Sequence, residues 1–319
     1  MAAPRVIAAG LGVVVLWASA FPAIRVAAPA LGVIGLSVAR LAIAAVALLV
    51  VAPLFKFRSS DGAWRLRRRR LPAAKDLPLI LACGFFGMAA YQILLNWGEL
   101  DIPAGTASII VAAAPLVSVA IAAGFLGERL TPTKIAGSAV AIGGVAVVCL
   151  SRAGFSLSAA LWILVGAMVV QGIYHPLTKP LLTRYSGLEV AVYGMVGGTI
   201  MLLPTLPFGW DDLATADASA WWAAAYLGLL PSALAFVLWG YAVARLPVAT
   251  STALLYLVPP VAVLIAFVWL GEIPYPIELV GGLIVIAGVV TVGLGDRLLG
   301  RWVNRGDPGV RAEGSAAKV

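Results

Sequence analysis

The side chains that could bind a ligand are mostly aromatic or amide groups, and they lie within long apolar segments. Nine of them could line a pocket for a small molecule with an apolar or aromatic body: Trp17, Tyr91, Gln92, Gln171, Tyr174, His175, Ser232, Trp239 and Tyr256. A polar side chain that faces lipid finds no partner, so we expect Gln92 and Ser232 to point toward the protein interior. Alternatively, these polar groups only hold neighbouring helices together.

Three basic residues lie inside apolar segments or near their ends: Arg25, Arg40 and Lys179. An arginine within a membrane is costly and is therefore a functional candidate. Arg40 could bind a substrate carboxylate or brace helix ends, because the sequence places no Asp or Glu at mid-span to pair with it. Arg25 and Lys179 could gate a pathway, neutralise a helix C-terminus or extend to a lipid head group.

Groups for catalysis or metal binding are scarce. The chain has one histidine, His175, and two cysteines, Cys83 and Cys149, that lie in apolar segments. We therefore expect no metal, no cofactor and no enzymatic activity. His175 could pass a proton near neutral pH, or it could be a neutral hydrogen-bonding group. The lack of a mid-span acid argues against ion coupling through a carboxylate.

The composition is that of a membrane protein. Hydrophobic residues make up 62% of the 319 positions, charged residues only 11%, and the mean hydropathy is +1.03. A soluble domain keeps about a quarter of its residues charged. The net charge of +8 is concentrated in the loop Lys56–Lys75, which predicts contact with anionic lipid head groups rather than nucleic acid. We expect a monomer or a weak homodimer.

Ten apolar segments are long enough to cross a bilayer, which requires roughly 20 residues. Their approximate ranges are 6–28, 32–55, 78–97, 104–126, 133–151, 159–178, 187–207, 219–241, 248–270 and 276–295. If the N-terminus is cytoplasmic, 19 of the 22 Lys and Arg residues fall on the cytoplasmic side. This asymmetry predicts a bacterial-type plasma (inner) membrane protein with both termini in the cytoplasm.

The chain contains an internal duplication. Residues 104–150 and 248–294, which are 144 positions apart, share 16 identities in 47 pairs. The first and sixth spans correspond at an offset of 154, with the pairs Pro22/Pro176 and Arg25/Lys179. Each copy holds an odd number of spans, so the second copy must enter the membrane upside down. We predict an all-α membrane protein of ten helices, built as two inverted five-helix repeats, 1–152 and 153–296, with a disordered cytoplasmic tail, 297–319.

Prolines occur at matching positions of the two copies. Pro22, Pro115, Pro176 and Pro259 lie inside spans one, four, six and nine. A proline removes a helical hydrogen bond and kinks the helix. These four residues could act as hinges for alternating access, or they could be static kinks.

The sequence resembles the drug/metabolite transporter superfamily, and within it the ten-helix EamA-type exporters. The resemblance rests on the stretch Trp17–Arg25 with Pro22 inside it, then Arg40, Pro115 and Gly127–Glu128 ahead of Pro132. In length and aromatic content the chain is most similar to aromatic amino acid exporters of the YddG type. The resemblance implies export of small metabolites, above all aromatic or other apolar amino acids. A passive channel, or an importer of sugars or phosphorylated metabolites, is the alternative.

Overall fold

The computed structural model describes residues 4–52, 56–58, 64–66, 71–125, 131–153, 158–243 and 255–306. The first two spans are α1 (Pro4–Leu31) and α2 (Val33–Val51). In the basic loop that follows, β1 (Lys56–Arg58) and β2 (Trp64–Leu66) pair antiparallel. The sequence analysis did not predict this small hairpin.

The rest of the first repeat completes spans three to five. Its elements are α3 (Leu77–Cys83), a π-helical segment (Gly84–Ala90), α4 (Tyr91–Asp101), α5 (Ala104–Val111), α6 (Ala114–Phe125) and α7 (Pro132–Ala153). The pair Gly127–Glu128 falls outside the described residues. Spans three and four are therefore each interrupted near the middle rather than being uniform helices.

The second repeat follows the same plan. Its elements are α8 (Ala159–Leu182), α9 (Gly187–Leu202), a 3-10 segment (Leu203–Gly209), α10 (Trp210–Thr215), α11 (Ala218–Leu227), a π-helical segment (Gly228–Leu234), α12 (Ala235–Val243), α13 (Val258–Leu270) and α14 (Pro276–Gly306). Helix α14 thus continues into the segment 297–319, where we expected a disordered tail. The apolar helical period does not end at position 296, so the backbone remains helical through Gly306.

Each of the ten predicted spans contains an apolar helix. Among the described residues, six helical segments are long and apolar enough to cross a bilayer, and four further apolar helices are shorter. Two of the shorter ones belong to spans four and nine, which are broken by backbone turns. The chain is an all-α integral membrane protein.

The structural irregularities recur at the offset that the sequence predicted. The π-helical segments Gly84–Ala90 and Gly228–Leu234 are 144 positions apart. The turns that break spans four and nine, at 112–113 and 256–257, are also 144 apart. Each turn comes just before Pro115 or Pro259. Proline has no backbone N–H to donate, and in a continuous helix its ring would clash with the carbonyl group four residues earlier. Both copies therefore share one architecture in detail.

The contacts between the repeats are reciprocal, as a two-fold axis requires. A Cβ added at Gly144 would lie 2.8 Å from the carbonyl oxygen of Gly281, and one at Gly288 would lie 2.6 Å from that of Gly137. These four glycines are repeat partners, so spans five and ten contact each other through equivalent surfaces. Small residues permit this close backbone approach.

The same two-fold relation is seen in the contacts between other pairs of spans. The first span packs on the ninth and the sixth on the fourth, while the second packs on the seventh across the axis. With five spans in each repeat, the axis that exchanges them lies in the membrane plane. The protein is built as two inverted five-helix repeats.

Candidate functional site

An aromatic cluster lies where the first and eighth spans meet. The ring centroid of Trp17 in α1 is 5.4 Å from that of Phe236 and 5.5 Å from that of Trp239, both in α12. Trp17 Nε1 donates a hydrogen bond of 3.1 Å to the carbonyl oxygen of Pro231 in the π-helical segment. The indole is held at both its faces and its polar edge, so it forms a rigid apolar wall.

The next residue, Ser232, carries the contact to Arg40. Arg40 Nε donates a hydrogen bond of 2.8 Å to Ser232 Oγ, and the two residues are 5% and 1% exposed. Gly228 permits this approach, since an added Cβ would lie 3.0 Å from the carbonyl oxygen of Arg40. The aromatic wall and the buried guanidinium therefore meet at the dipeptide Pro231–Ser232.

A polar face of α4 lies against α2. Gln92, Asn96 and Glu99 follow the spacing i, i+4, i+7, which places them on one side of the helix. Their exposed fractions are 4%, 0% and 0%. Asn96 Nδ2 donates a hydrogen bond of 2.9 Å to Ser37 Oγ, and Ser37 precedes Arg40 by one helical turn. This bond turns the polar face of α4 toward Arg40.

Glu99 is a buried acid that the sequence analysis did not consider. The sequence analysis ended span three before Gly98, whereas α4 continues to Asp101 and carries Glu99 inside the bundle. Glu99 interacts electrostatically with both Arg40 and Arg25. Glu99 lies two residues before the end of α4, so it adds a buried acid at the end of a span but not one at mid-span.

Several buried polar atoms in this region have no hydrogen-bond partner among the described residues. They are Arg40 Nη1, Gln92 Oε1, Asn96 Oδ1, both carboxyl oxygens of Glu99, and Gln171 Oε1. A buried polar atom without a partner costs roughly 1–3 kcal/mol, and more when it is charged. Arg40 and the polar face of α4 contribute five of these six atoms, which indicates a site for polar ligand groups or water there.

Arg25 ties several elements together at one end of the bundle. Its Nη1 donates hydrogen bonds of 2.5 Å and 2.7 Å to the carbonyl oxygens of Glu99 and Leu100. Its Nε lies 3.3 Å from Glu272 Oε1. Glu272 Oε2 in turn accepts from the backbone N–H of Ala104 at 2.8 Å. Arg25 therefore neutralises the C-terminus of α4, not that of its own helix.

A second acid completes this end cluster. Glu278, which is 0% exposed, accepts hydrogen bonds of 2.7 Å from Thr106 Oγ1 and from the backbone N–H of Tyr275. A narrow cleft beside these groups is lined by Pro103, Gly105, Thr106, Val263, Ala266, Glu272, Ile273 and Pro274. The cluster holds the fourth span to the turn between the ninth and tenth spans.

The opposite end of the bundle has a separate polar cluster. Asp76, which is 3% exposed, pairs with Arg184 and accepts a hydrogen bond of 2.7 Å from Tyr185 Oη. Tyr185 Oη also accepts from the backbone N–H of Ala73 at 2.9 Å. These contacts fix the start of the third span to the turn between the sixth and seventh spans.

The remaining predicted site residues are distributed over several contacts. Tyr174 is buried, and its ring packs on the backbone of Gly87, where a Cβ would lie 2.2 Å from Tyr174 Cδ2. The rings of Tyr174 and His175 are 5.7 Å apart. Tyr91 is half-buried against the core, and Lys179 is exposed. Tyr91 also interacts electrostatically with Arg40.

Tyr256 was predicted to line the site, and the helix prolines were predicted to act as hinges. The Tyr256 hydroxyl donates a hydrogen bond of 3.0 Å to the carbonyl oxygen of Val289, which ties the turn in span nine to α14. Pro22 and Pro176 lie inside α1 and α8, and both are buried. The hinge roles of the four prolines stay predictions.

The repeat symmetry relates the aromatic wall to an amide-lined counterpart. Trp17 corresponds to Gln171, while Phe236 and Trp239 correspond to Gln92 and Leu95. The two-fold counterpart of the Trp17–Phe236–Trp239 cluster thus carries two amide side chains and a leucine. A ligand between the repeats would meet an apolar side and a polar side.

The sequence analysis missed three polar residues of the site: Ser37, Asn96 and Glu99. The signal was present, because Asn96 and Glu99 lie on the same face of a helix as Gln92, which was selected. Glu99 was not considered because the sequence analysis ended span three at position 97. Arg25, which is distant in sequence, donates a hydrogen bond to the backbone carbonyl of Glu99.

Inverted five-helix repeats around buried polar and aromatic groups define a membrane transporter. The described site offers apolar, cationic and acidic groups for binding, arranged at the interface between the repeats. A model of the EamA-like transporter family matches residues 4–150 and again residues 157–294. The chain belongs to this family.

Similar proteins have transport functions in their names. A "probable terminal-alkyne amino-acid exporter" of Streptantibioticus cattleyicolor is 55% identical over 93% of this chain and 96% of its own length. The "uncharacterized transporter YdfC" of Bacillus subtilis is 34% identical over 86% of each chain. A "probable amino-acid metabolite efflux pump" of Salmonella typhimurium is 28% identical over 68% of this chain and 77% of its own.

A solved crystal structure shares the fold. It superimposes with a TM-score of 0.63 at 18% identity and covers 91% of this chain and 97% of that chain. At this identity the likeness concerns the arrangement of the helices.

Proposed function

We propose that this protein exports amino acids with apolar or aromatic side chains by alternating access. The observation that carries this proposal is the 55% identity, over 93% of the chain, to a protein named a probable terminal-alkyne amino-acid exporter. At such identity and coverage a binding site is commonly shared. The substrate leaves the protein chemically unchanged, so the protein is a carrier and not an enzyme.

The site geometry supports this substrate class. Trp17, Phe236 and Trp239 offer an apolar wall, which suits a side chain such as an alkyne or a benzene ring. Arg40 and Glu99 offer one cation and one acid, which suit the two charges of an amino acid. A phosphorylated substrate would instead require several cations around one anion.

The membrane placement follows from the charge distribution. The protein lies in a bacterial-type plasma (inner) membrane with both termini in the cytoplasm, and Lys56–Lys75 contacts anionic head groups there. It works as a monomer or weak homodimer and has no nucleic-acid partner. The modules 1–152 and 153–296 move against each other, and the prolines serve as hinges.

Efflux and exchange measurements test the proposal. Cells that express the protein should tolerate higher concentrations of L-propargylglycine and p-fluorophenylalanine than control cells. In proteoliposomes, uptake of radiolabelled L-propargylglycine should saturate and should be stimulated by the same amino acid inside. Flux that neither saturates nor shows exchange stimulation would identify a passive channel, and the absence of amino-acid flux would contradict the proposal.

A further inference from the structure

The unpartnered polar atoms around Arg40 differ sharply in hydrogen-bonding type. Among the described residues, the α4 side chains Gln92, Asn96 and Glu99 contribute four unpartnered acceptor oxygens, and Gln171 in α8 contributes a fifth. Arg40 contributes one unpartnered donor nitrogen. An excess of unpartnered acceptor oxygens favours a ligand that has several N–H donors. An ammonium group offers three such donors, and a carboxylate beside it would accept from the single guanidinium nitrogen.

The positions of the two charged groups fit such a ligand. Arg40 and Glu99 interact electrostatically, yet within the described part of the chain no direct ion pair joins them. Ser232 holds Arg40 through Nε and leaves Nη1 unpaired. The Ser37–Asn96 bond joins α2 to α4 at the residues one helical turn before Arg40 and before Glu99. Opposite buried charges held apart are stabilised by a group that bridges them.

The aromatic wall begins at the same point. Ser232, which binds Arg40, directly follows Pro231, whose carbonyl accepts from Trp17. A ligand with its charged end at Arg40 therefore has the indole of Trp17 within reach of its side chain. Head-group recognition and side-chain recognition are thus contiguous.

We propose that Arg40 and Glu99 form the zwitterion-binding part of the substrate site. Arg40 Nη1 donates to the substrate carboxylate, while the carboxylate of Glu99 accepts from the substrate ammonium group. The amide oxygens of Gln92 and Asn96 accept its remaining protons. This assignment rests on the proposed amino-acid export and deepens it, because it requires both charges on the same substrate.

Inhibition of exchange by analogues that lack one charge tests the assignment. The assay is exchange of radiolabelled L-propargylglycine by purified protein in proteoliposomes. The competitors are unlabelled L-propargylglycine, N-acetyl-L-propargylglycine, which lacks the ammonium group, and but-3-yn-1-amine, which lacks the carboxylate. A charge-assisted hydrogen bond contributes roughly tenfold to a hundredfold in affinity. Each single-charge analogue should inhibit wild-type exchange about tenfold or more weakly than L-propargylglycine.

Each of two variants should then lose the preference that depends on one of the two substrate charges. Glu99→Gln should remove the preference for L-propargylglycine over the N-acetyl analogue and keep the preference over the amine. Arg40→Met should do the reverse, and Arg40→Lys should retain part of the lost preference. Asp101→Asn removes an exposed acid two residues from Glu99 and should change neither ratio.

The outcomes separate the assignment from the proposed function. Equal inhibition of wild-type exchange by all three compounds overturns the assignment, and this measurement does not depend on whether a variant folds. Folded variants that transport less but keep both ratios also overturn it, because they show a structural role. If the wild type exchanges neither L-propargylglycine nor L-phenylalanine, amino-acid export itself is wrong.

Discussion

At the scale of single residues, Trp17 offers the most direct test of the aromatic wall. Trp17→Phe keeps a ring beside Phe236 and Trp239 but removes the hydrogen bond to the Pro231 carbonyl. A neutral hydrogen bond contributes about 1 kcal/mol. Because this bond lies within the protein and positions the ring, its loss should raise KM for L-propargylglycine exchange by at most about fivefold. Trp17→Ala should raise KM further, because the wall itself is lost.

A matched control exists on the lipid-facing surface. Trp222 is 77% exposed, so Trp222→Phe and Trp222→Ala should leave KM unchanged. A KM for Trp17→Ala that equals the wild-type value would remove Trp17 from the site. Protein amount and thermal stability are measured in parallel, so that a loss of folded protein is not mistaken for weaker binding.

The residue scale also shows where sequence reasoning reached its limit. The repeat offset and helical periodicity identified Trp17, Gln92, Ser232 and Trp239 without any coordinates. They could not identify Glu99, because a carboxyl group near a turn is ordinarily solvated and harmless. Its burial arises from the packing of distant segments, among them α1, where Arg25, 74 positions earlier in the chain, bonds to the Glu99 carbonyl, and such long-range contacts have no local signal.

At the scale of elements, the Arg25–Glu272 contact should control access at its end of the bundle. Glu272→Gln removes the ion pair and weakens the bond to the Ala104 N–H. Charge-assisted bonds contribute about 1.5–3 kcal/mol each. We expect a cysteine at Ala266, a cleft-lining position that is 1% exposed, to react roughly tenfold or more faster with a maleimide when Glu272 is changed.

The design of this test needs a background without native thiols. Cys83→Ala and Cys149→Ala remove both cysteines, and Ala266→Cys is the reporter. Asp211→Asn removes an exposed acid that lies outside this contact and should leave the reaction rate unchanged. Equal rates with Glu and Gln at position 272 would show that the ion pair does not restrict access.

A second element-scale prediction concerns the close contact of α7 and α14. A Cβ at Gly144 would lie 2.7 Å from the backbone nitrogen of Val285, and one at Gly288 would lie 2.4 Å from that of Ala141. Overpacking typically costs 1–3 kcal/mol. Gly144→Ala and Gly288→Ala should therefore both lower the melting temperature of the detergent-solubilised protein.

The neighbouring glycine supplies the control for this prediction. Gly143 has nothing within 4 Å of an added Cβ. Because alanine is the better helix former by about 1 kcal/mol, Gly143→Ala should leave the melting temperature unchanged or raise it. If Gly143→Ala and Gly144→Ala lowered the melting temperature equally, the close contact between α7 and α14 would not be the reason for a glycine at position 144.

The elements themselves were largely predictable. Most of the ten apolar segments correspond to helices in the structure within a few residues, because the length of a bilayer-crossing helix and the turn residues between spans are local properties. The exceptions are span nine, where α13 begins at Val258 after a turn, and span ten, where α14 continues to Gly306. The π-helical segments were not predictable, since Gly84–Ala90 contains no proline and Gly228–Leu234 contains one. Because they recur at the same offset, the π-helical segments are a backbone feature that both repeats share although their residues differ.

At the scale of the whole molecule, the repeat explains how one chain can carry two chemically different halves of a site. The inversion places the counterpart of each side chain across the same interface. Substitutions after duplication then gave rings at Trp17 and Phe236 but amides at Gln171 and Gln92. The shared backbone places these side chains at one interface, and in the proposed function their divergence serves to distinguish the two ends of a substrate.

The inverted arrangement makes a prediction about the two faces of the membrane. Arg129 and Ile273 are repeat partners, 144 positions apart, and Ile273 is 74% exposed in the turn between the ninth and tenth spans. With both termini in the cytoplasm, Ile273→Cys should react with a membrane-impermeant maleimide on intact cells. Arg129→Cys should react only after the cells are permeabilised. Both variants carry Cys83→Ala and Cys149→Ala, and the cysteine-free parent measures background labelling. Labelling of both positions from the same side would be incompatible with a second repeat that crosses the membrane in the opposite sense. Labelling of Arg129→Cys alone on intact cells would keep the inversion and reverse the assignment of the termini.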